Sequence, residues 1–289
     1  MQPLKGKVVV VTGATRGAGK GIARAFGEAG ATVIVTGRSS RAHPSTFGWP
    51  GTIEDTAELV EAAGGVGIPV RLDQGDGKAV AAFFQRVAAE HGAPDVLVNN
   101  AWGGHETPID MVPFWETSLQ TWDSMFTHGV RLALMASTHA APSMIAAGRG
   151  LILNTTSWYH DVYTGMLYYD LAKNALNRLA FGMAQDLEPH GVAALAVAPG
   201  WMRTELVLAA FETDEAHWRE VPALAATETP LYVGRAMAAL AADARVMEKT
   251  GRTLLAGELA REYGFTDEDG TQPPAFVLKG RSPVRSDVS

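Results

Sequence analysis

The chain has 289 residues, 47% of them hydrophobic and 19% charged, which suits one large α/β domain with a sizeable core. Lysine plus arginine number 24 and aspartate plus glutamate 31, a formal net charge of −7 without a basic run, so a nucleic-acid backbone is a poor partner. With no cysteine, disulfides, thiolate zinc sites and cysteine nucleophiles are excluded, and the composition fits a reducing compartment.

The opening MQPLKGKVVVVTGATRGAGKG carries only a short apolar run, Val8–Val11, which runs straight into glycines and does not read as a signal peptide. No stretch approaches the roughly 20 apolar residues of a membrane span, and the expectation is a soluble, cytoplasmic protein. Strands are expected over Lys7–Thr12, Thr32–Gly37, Ile68–Asp73, Asp95–Asn100, Gly150–Thr156, Val192–Ala198 and Arg252–Gly257. These runs are apolar on both faces, as a parallel sheet covered on both sides requires. Helices are expected over Lys78–His91, Ser118–Ala147, Leu167–Glu188 and Pro230–Ala242, the last with Thr229 as N-cap and proline at its first position. The alternation predicts a Rossmann-type, doubly wound parallel sheet of about seven strands with helices on both faces. One catalytic domain is expected over residues 1–257, with a Gly/Pro/Ser insertion at 39–52 and a candidate substrate lid at 206–227. A C-terminal extension, 258–289, ends in a stretch that reads as disordered.

Between the first strand and the first helix, TGATRGAG places Gly13, Gly17 and Gly19 in one turn. Such glycines let the backbone approach a pyrophosphate whose charge meets the helix N-terminus; a plain tight turn would use them too. No carboxylate stands at the end of the second strand to hold a ribose 2′-hydroxyl. Arg38 stands there instead, and Arg16 lies inside the turn; two guanidiniums suit a 2′-phosphate, so NADP(H) is favoured and NAD(H) left open. Asp73 is a candidate for the adenine amino group.

Tyr169 and Lys173 are four apart and share a helix face, whereas Tyr168 points elsewhere. A free tyrosine has a pKa of about 10, and a fixed ammonium beside it would lower that value. Ser157, just after the fifth strand, could hydrogen-bond the same substrate oxygen.

These motifs, TGATRGAG, NNA (Asn99–Ala101), Ser157, YDLAK (Tyr169–Lys173) and PGWMRT (Pro199–Thr204), stand in the order of the classical short-chain dehydrogenase/reductase family, which the chain resembles from about Lys5 to Gly257. The resemblance implies that Tyr169 is the general acid/base, that Ser157 positions the carbonyl or hydroxyl, and that Lys173 holds the nicotinamide ribose and lowers the Tyr169 pKa. It implies a dinucleotide held by Gly13, Thr15, Arg16, Gly17, Ala18, Gly19, Arg38, Asp73, Asn99, Ala101, Tyr169, Lys173, Pro199, Gly200 and Thr204. Asn99 would support the central strands, and Pro199–Thr204 would face the carboxamide. A homodimer or homotetramer is implied as well.

The chain departs from the family pattern at three places. Gly129 falls where an asparagine usually holds a proton-relaying water, Trp102 falls where glycine is usual, and Ser157 precedes Tyr169 by a slightly short interval of 12. His128 adjoins Gly129, but neighbouring helix residues point about 100° apart, so it is not expected to substitute. Trp102, Trp158, Tyr159, Tyr163 and Trp201 are candidates for an apolar substrate pocket, with Trp115 and Trp218 in nearby loops. The histidines lack metal-ligand spacing, and no nucleophile elbow is present, so neither a metal site nor a serine hydrolase is expected. The expected function is hydride transfer between NADP(H) and a small apolar carbonyl or secondary alcohol. The alternatives are an NAD-preferring relative and, because of Gly129, a non-catalytic dinucleotide-binding sensor or scaffold.

Overall fold

The computed structural model describes residues 2–104, 106, 112–158 and 162–278. In chain order the elements are β1 (Val8–Val11), α1 (Gly17–Glu28), β2 (Thr32–Gly37), α2 (Ile53–Ala62), β3 (Val66–Arg71), α3 (Gly77–His91) and β4 (Val96–Asn99). Then α4 (Leu119–Trp122) passes through a π-helical segment, Asp123–Val130, into α5 (Arg131–Ala147), followed by β5 (Gly150–Thr155), α6 (Leu167–Leu187) and β6 (Val192–Ala198). The described chain closes with α7 (Glu205–Ala210), α8 (Pro230–Ala242), β7 (Thr253–Leu255) and α9 (Ala256–Tyr263). The seven strands form one parallel sheet in the order β3-β2-β1-β4-β5-β6-β7.

Strand alternation divides the core between the two faces of this sheet. Val10, Leu97, Ile152 and Ala194 are register partners and face one layer, packed with Phe83, Phe84, Ala136, Met144 and Ala184 from α3, α5 and α6. Their neighbours Val9, Val11, Val96, Val98, Leu151, Leu153 and Leu195 face the other, against Ile22, Phe26, Tyr232, Met237 and Leu259 from α1, α8 and α9. Fully burying one such side chain contributes roughly 1.5–3 kcal/mol, so both layers are needed to hold the sheet. The strand order reverses between β1 and β4, which opens a crevice at the carboxyl ends of the strands.

Four features differ from the sequence reading. β3 begins at Val66 rather than Ile68, and as an edge strand it leaves Val66 53% exposed and tolerates Pro69 within the ladder. α2 begins directly after the insertion: Thr52 Oγ1 accepts from Asp55 N (3.1 Å) and Asp55 Oδ2 accepts from Thr52 N (3.1 Å), a capping box that the reading of 39–52 as a simple break passed over. The continuous helix expected over Ser118–Ala147 is broken by the π segment, where His128 leaves helical geometry (φ −98°, ψ 16°) and its carbonyl accepts from Gly103 N at 2.7 Å. Finally, Thr229 stands at the N-cap of α8 without capping it. Its hydroxyl donates to buried Asp267, whose carboxylate also accepts from Thr229 N at 2.8 Å.

Residues beyond β7 are tied into the body. Leu259 and Ala260 belong to the core, Tyr232 Oη donates to Pro273 O (2.9 Å), and Arg235 donates to Thr266 O (2.8 Å). Residues 279–289, which hold the stretch read as disordered, lie outside the described residues.

Candidate active site at the carboxyl edge of the sheet

The loops after β1, β4, β5 and β6 converge on the crevice. After β1 the backbone enters the left-handed region at Gly13 (φ +63°) and Gly17 (φ +52°), where a side chain would be strained. Asn100, which the sequence reading did not single out, pins this turn from β4: its Nδ2 donates to Thr12 O (3.1 Å) and Gly13 O (3.0 Å). A Cβ on Gly19 would fall against Gly13 O and that same amide, so this close packing requires glycine. Asn99 points the other way, into the sheet, and donates to Ser137 Oγ (2.9 Å) and Asn154 Oδ1 (2.9 Å), which ties β4 to α5 and β5.

The N-terminus of α1 already holds an anionic group. Gly17 N donates to Glu205 Oε2 at 2.9 Å, and Lys20 pairs with the same carboxylate. Burial opposes ionisation of Glu205, yet the Lys20 hydrogen bond and the Gly17 amide leave its pKa below the ordinary value. A carboxylate at this point shows that the turn accepts an anion, the property a pyrophosphate needs. Thr204 caps α7 through Val207 N (3.3 Å) and lies beside Gly17. The residues present therefore fit a dinucleotide, with Glu205 as the group it would have to displace.

At the far end of the turn, Arg16 donates to Pro50 O (2.8 Å) and Ser39 Oγ (3.1 Å) and lies 5.5 Å from the Trp49 ring centroid. Burial lowers its pKa; Glu205 acts upward and Arg38 downward, which places both guanidiniums in one corner. Arg38 pairs with Glu106 and keeps 56% of its side chain exposed. Asp73 is exposed at the same edge, its carboxylate accepting from Gly75 N at 2.8 Å.

At the opposite end, Ser157 Oγ donates to Tyr169 Oη at 3.2 Å. Lys173 follows one turn along α6, its Nζ 5.5 Å from the Tyr169 ring centroid. Two hydrogen bonds fix the loop after β5 against that helix: Thr156 Oγ1 to Lys173 O (2.9 Å) and Asn177 Nδ2 to Ser157 O (3.2 Å). The Lys173 ammonium is the buried part of its side chain, and that burial alone brings its pKa down to about 7. Tyr168, on the other face, meets Trp122 edge-on.

The two largest departures from the family pattern meet here. A Cβ on Gly129 would come within 2.6 Å of Trp102 Cζ3, so the indole fills the space that glycine leaves. The same indole carries Lys173 Nζ 3.6 Å from its centroid and presents its ring at 88° to Tyr169, centroids 6.1 Å apart.

The other aromatic candidates divide. Trp201 packs on Phe211 and borders a small apolar cluster of Leu208, Trp218 and Leu224, so residues 206–227 hold a core of their own. Tyr163 is half-exposed near Asp170, Trp158 is partly buried, and Trp115 is 71% exposed. Tyr159 lies outside the described residues. Beneath the loop after β6, Glu228 lies against Gly200, receives its amide, and has one oxygen, Oε1, without a hydrogen-bond partner among the described residues. Burial raises its pKa to about 8. This buried carboxyl also escaped the sequence reading, because nothing in ATETP distinguishes it from a surface glutamate. Among the described residues no cluster of histidine, aspartate and glutamate could hold a metal ion, and no helix is long and apolar enough to cross a membrane.

Residues 7–215 match the short chain dehydrogenase family, and the chain belongs to that family of NAD(P)-dependent oxidoreductases. It is 35% identical to the mouse protein "Dehydrogenase/reductase SDR family member 1" over 276 residues, 93% of this chain and 85% of that one. Among solved structures it is similar to a short chain dehydrogenase from Mycobacterium thermoresistibile, at 27% identity, 98% coverage of both chains and a TM-score of 0.78. It is also similar to a metagenomic short-chain oxidoreductase in complex with NADP, at 29% identity, 88% and 97% coverage and a TM-score of 0.66.

Proposed function

We propose that the protein interconverts a small apolar carbonyl and its secondary alcohol using NADP(H), with Tyr169 as general acid/base. The observation that carries the reading is the 3.2 Å hydrogen bond between Ser157 and Tyr169, with the Lys173 ammonium over the same helix turn. When bound, the dinucleotide supplies or accepts the hydride at the substrate carbon. Ser157 orients the substrate oxygen, and Tyr169 Oη delivers the proton to it in reduction or takes it in oxidation. Lys173 favours the phenolate by its charge. The Pro199–Thr204 loop and the α1 N-terminus bind the cofactor and keep water from the reacting carbon.

Arg16 and Arg38 in one corner, with Arg38 exposed, support NADP(H) over NAD(H). The NADP complex of a similar short-chain oxidoreductase agrees with this. Partly buried Trp158, next to Ser157 in sequence, and half-exposed Tyr163, near Asp170, support an apolar substrate. Exposed Leu134 and Ile145 on α5 and Leu171 and Phe181 on α6 support a homo-oligomer; the absence of cysteine from the sequence is in keeping with the cytoplasmic location we propose.

Tyr169→Phe is the direct test, because it removes one oxygen and keeps the ring. Turnover of a carbonyl panel with NADPH falls by a factor on the order of 10²–10⁴ while NADPH binding, followed by nicotinamide fluorescence, is retained. Wild-type turnover in that variant would falsify the role given to Tyr169.

A further inference from the structure

A cation buried beside a catalytic tyrosine needs something that favours its charge, because burial disfavours it. Among the described residues Lys173 forms no ion pair with a carboxylate, and burial lowers its pKa. The hollow it shares is lined by Ser157, Val162 and Thr164 from the chain between β5 and α6 and by Tyr169, Asp170 and Asn174 from α6. Tyr169 and Asp170 are its titratable members, and Asp170 is itself held toward its neutral form by burial. From the π segment, His128 is turned to Glu106 (3.3 Å), which also takes Arg38. Among the described residues the aromatic face nearest the ammonium is that of Trp102, at 3.6 Å, with the Tyr169 ring at 5.5 Å.

Indole is the most strongly cation-binding of the aromatic faces, and its attraction for an ammonium grows when water is excluded. The ring can lie there only because residue 129 lacks a side chain, since a Cβ would meet Cζ3 at 2.6 Å. The Gly103 amide bonded to the His128 carbonyl (2.7 Å) clamps the loop carrying Trp102 to the same π segment, which fixes the ring over the lysine. Two sequence departures that look independent are thus one arrangement.

We propose that Trp102 is the positioning residue of this site: seated in the space opened by Gly129, its indole face holds the Lys173 ammonium in its charged form and in place beside Tyr169. The proposal rests on the function proposed above for its catalytic meaning, but the contact between ring and ammonium stands independently of it. The arrangement supplies by a π face the polar partner that Gly129 cannot offer.

The test separates these two levels. In full-length protein carrying 13C at the lysine side chains, the titration of Lys173, assigned by its loss in Lys173→Met, is followed by NMR without cofactor. Trp102→Leu is expected to lower its titration point by about one pH unit, and Trp102→Phe, which keeps a ring face, by clearly less. Gly129→Ala approaches from the other side: its methyl displaces the ring, and the Lys173 titration point moves in the same direction as in Trp102→Leu. In turnover, Trp102→Leu loses about tenfold or more in kcat with a smaller change in the KM for NADPH, and Trp102→Phe recovers much of it. A cavity or folding defect alone would lower stability without moving one lysine's titration. An unchanged Lys173 titration in Trp102→Leu and in Gly129→Ala overturns the proposal, even if Tyr169→Phe is inactive as expected. Conversely, an active Tyr169→Phe variant removes the acid/base reading while leaving the lysine titration to decide on Trp102. Should Trp102→Leu fail to fold, Trp102→Phe and Gly129→Ala still decide.

Discussion

The two ends of the cleft hold their cations by opposite means. At the outer corner, Arg16 and Arg38 are engaged by backbone carbonyls, a serine and the Glu106 carboxylate, partners that an incoming phosphate can outcompete. At the inner end Lys173 has no anionic partner among the described residues and lies against an indole face. The difference follows from solvent. An exposed guanidinium paired with a carboxylate gains little and is easily re-partnered, so the corner remains receptive. A carboxylate beside buried Lys173 would offset the charge that the proposed role of Tyr169 calls for and would itself require desolvation. A π face favours the cation without cancelling it. On the proposed function, the binding corner is held ready by exchangeable ion pairs, whereas the proton-transfer end is held by a ring face.

Substitutions at each end sharpen the contrast. The largest effect is expected from Lys173→Met, which retains the shape and removes the charge. Turnover falls by a factor on the order of 10² or more, while the urea-unfolding midpoint is maintained or rises because a buried cation is relieved. A marked loss of stability would mean that Lys173 is a structural residue.

Next comes Glu228, whose folded pKa of about 8 lies above its ordinary 4.5. The sign follows from linkage: its contribution to stability is fully present below about 4.5 and is lost as pH rises toward 8. Lys173 has the opposite displacement, from 10.5 down to about 7, and works the other way above neutrality. The difference between wild type and Glu228→Gln isolates the first effect. The variant should match wild type near pH 5 and be more stable by a few kcal/mol near pH 8. Parallel curves of unfolding free energy against pH would show that the carboxyl beneath Gly200 titrates normally.

The smallest change is at the exchangeable corner. Arg38→Asp should raise the Kd for NADPH by about 10–100-fold, leave NADH binding nearly untouched, and hardly move the unfolding midpoint. Equal weakening of both dinucleotides would show that Arg38 shapes the turn and does not read the phosphate.

Much of this was legible along the chain because it depends on local order. β-branched runs alternating with helical segments announced the parallel sheet, and Tyr169 and Lys173 share a face by helical periodicity alone. Glycines with positive φ mark a turn wherever they fall. What escaped depends on partners far away in sequence. Asn100 clamps Thr12 and Gly13 across 88 and 87 positions, Glu205 reaches Gly17 across 188, and Asp267 takes the hydroxyl of Thr229 across 38. None has a periodic signature.

Sequence by itself determined the architecture, the family and the Ser157–Tyr169–Lys173 order, since backbone propensity and spacing act between near neighbours. Only the tertiary structure decided that Gly129 and Trp102 form one arrangement. Whether a glycine is an absence or a space for someone else's side chain depends on which strand's loop packs over it, and packing is a property of the folded chain.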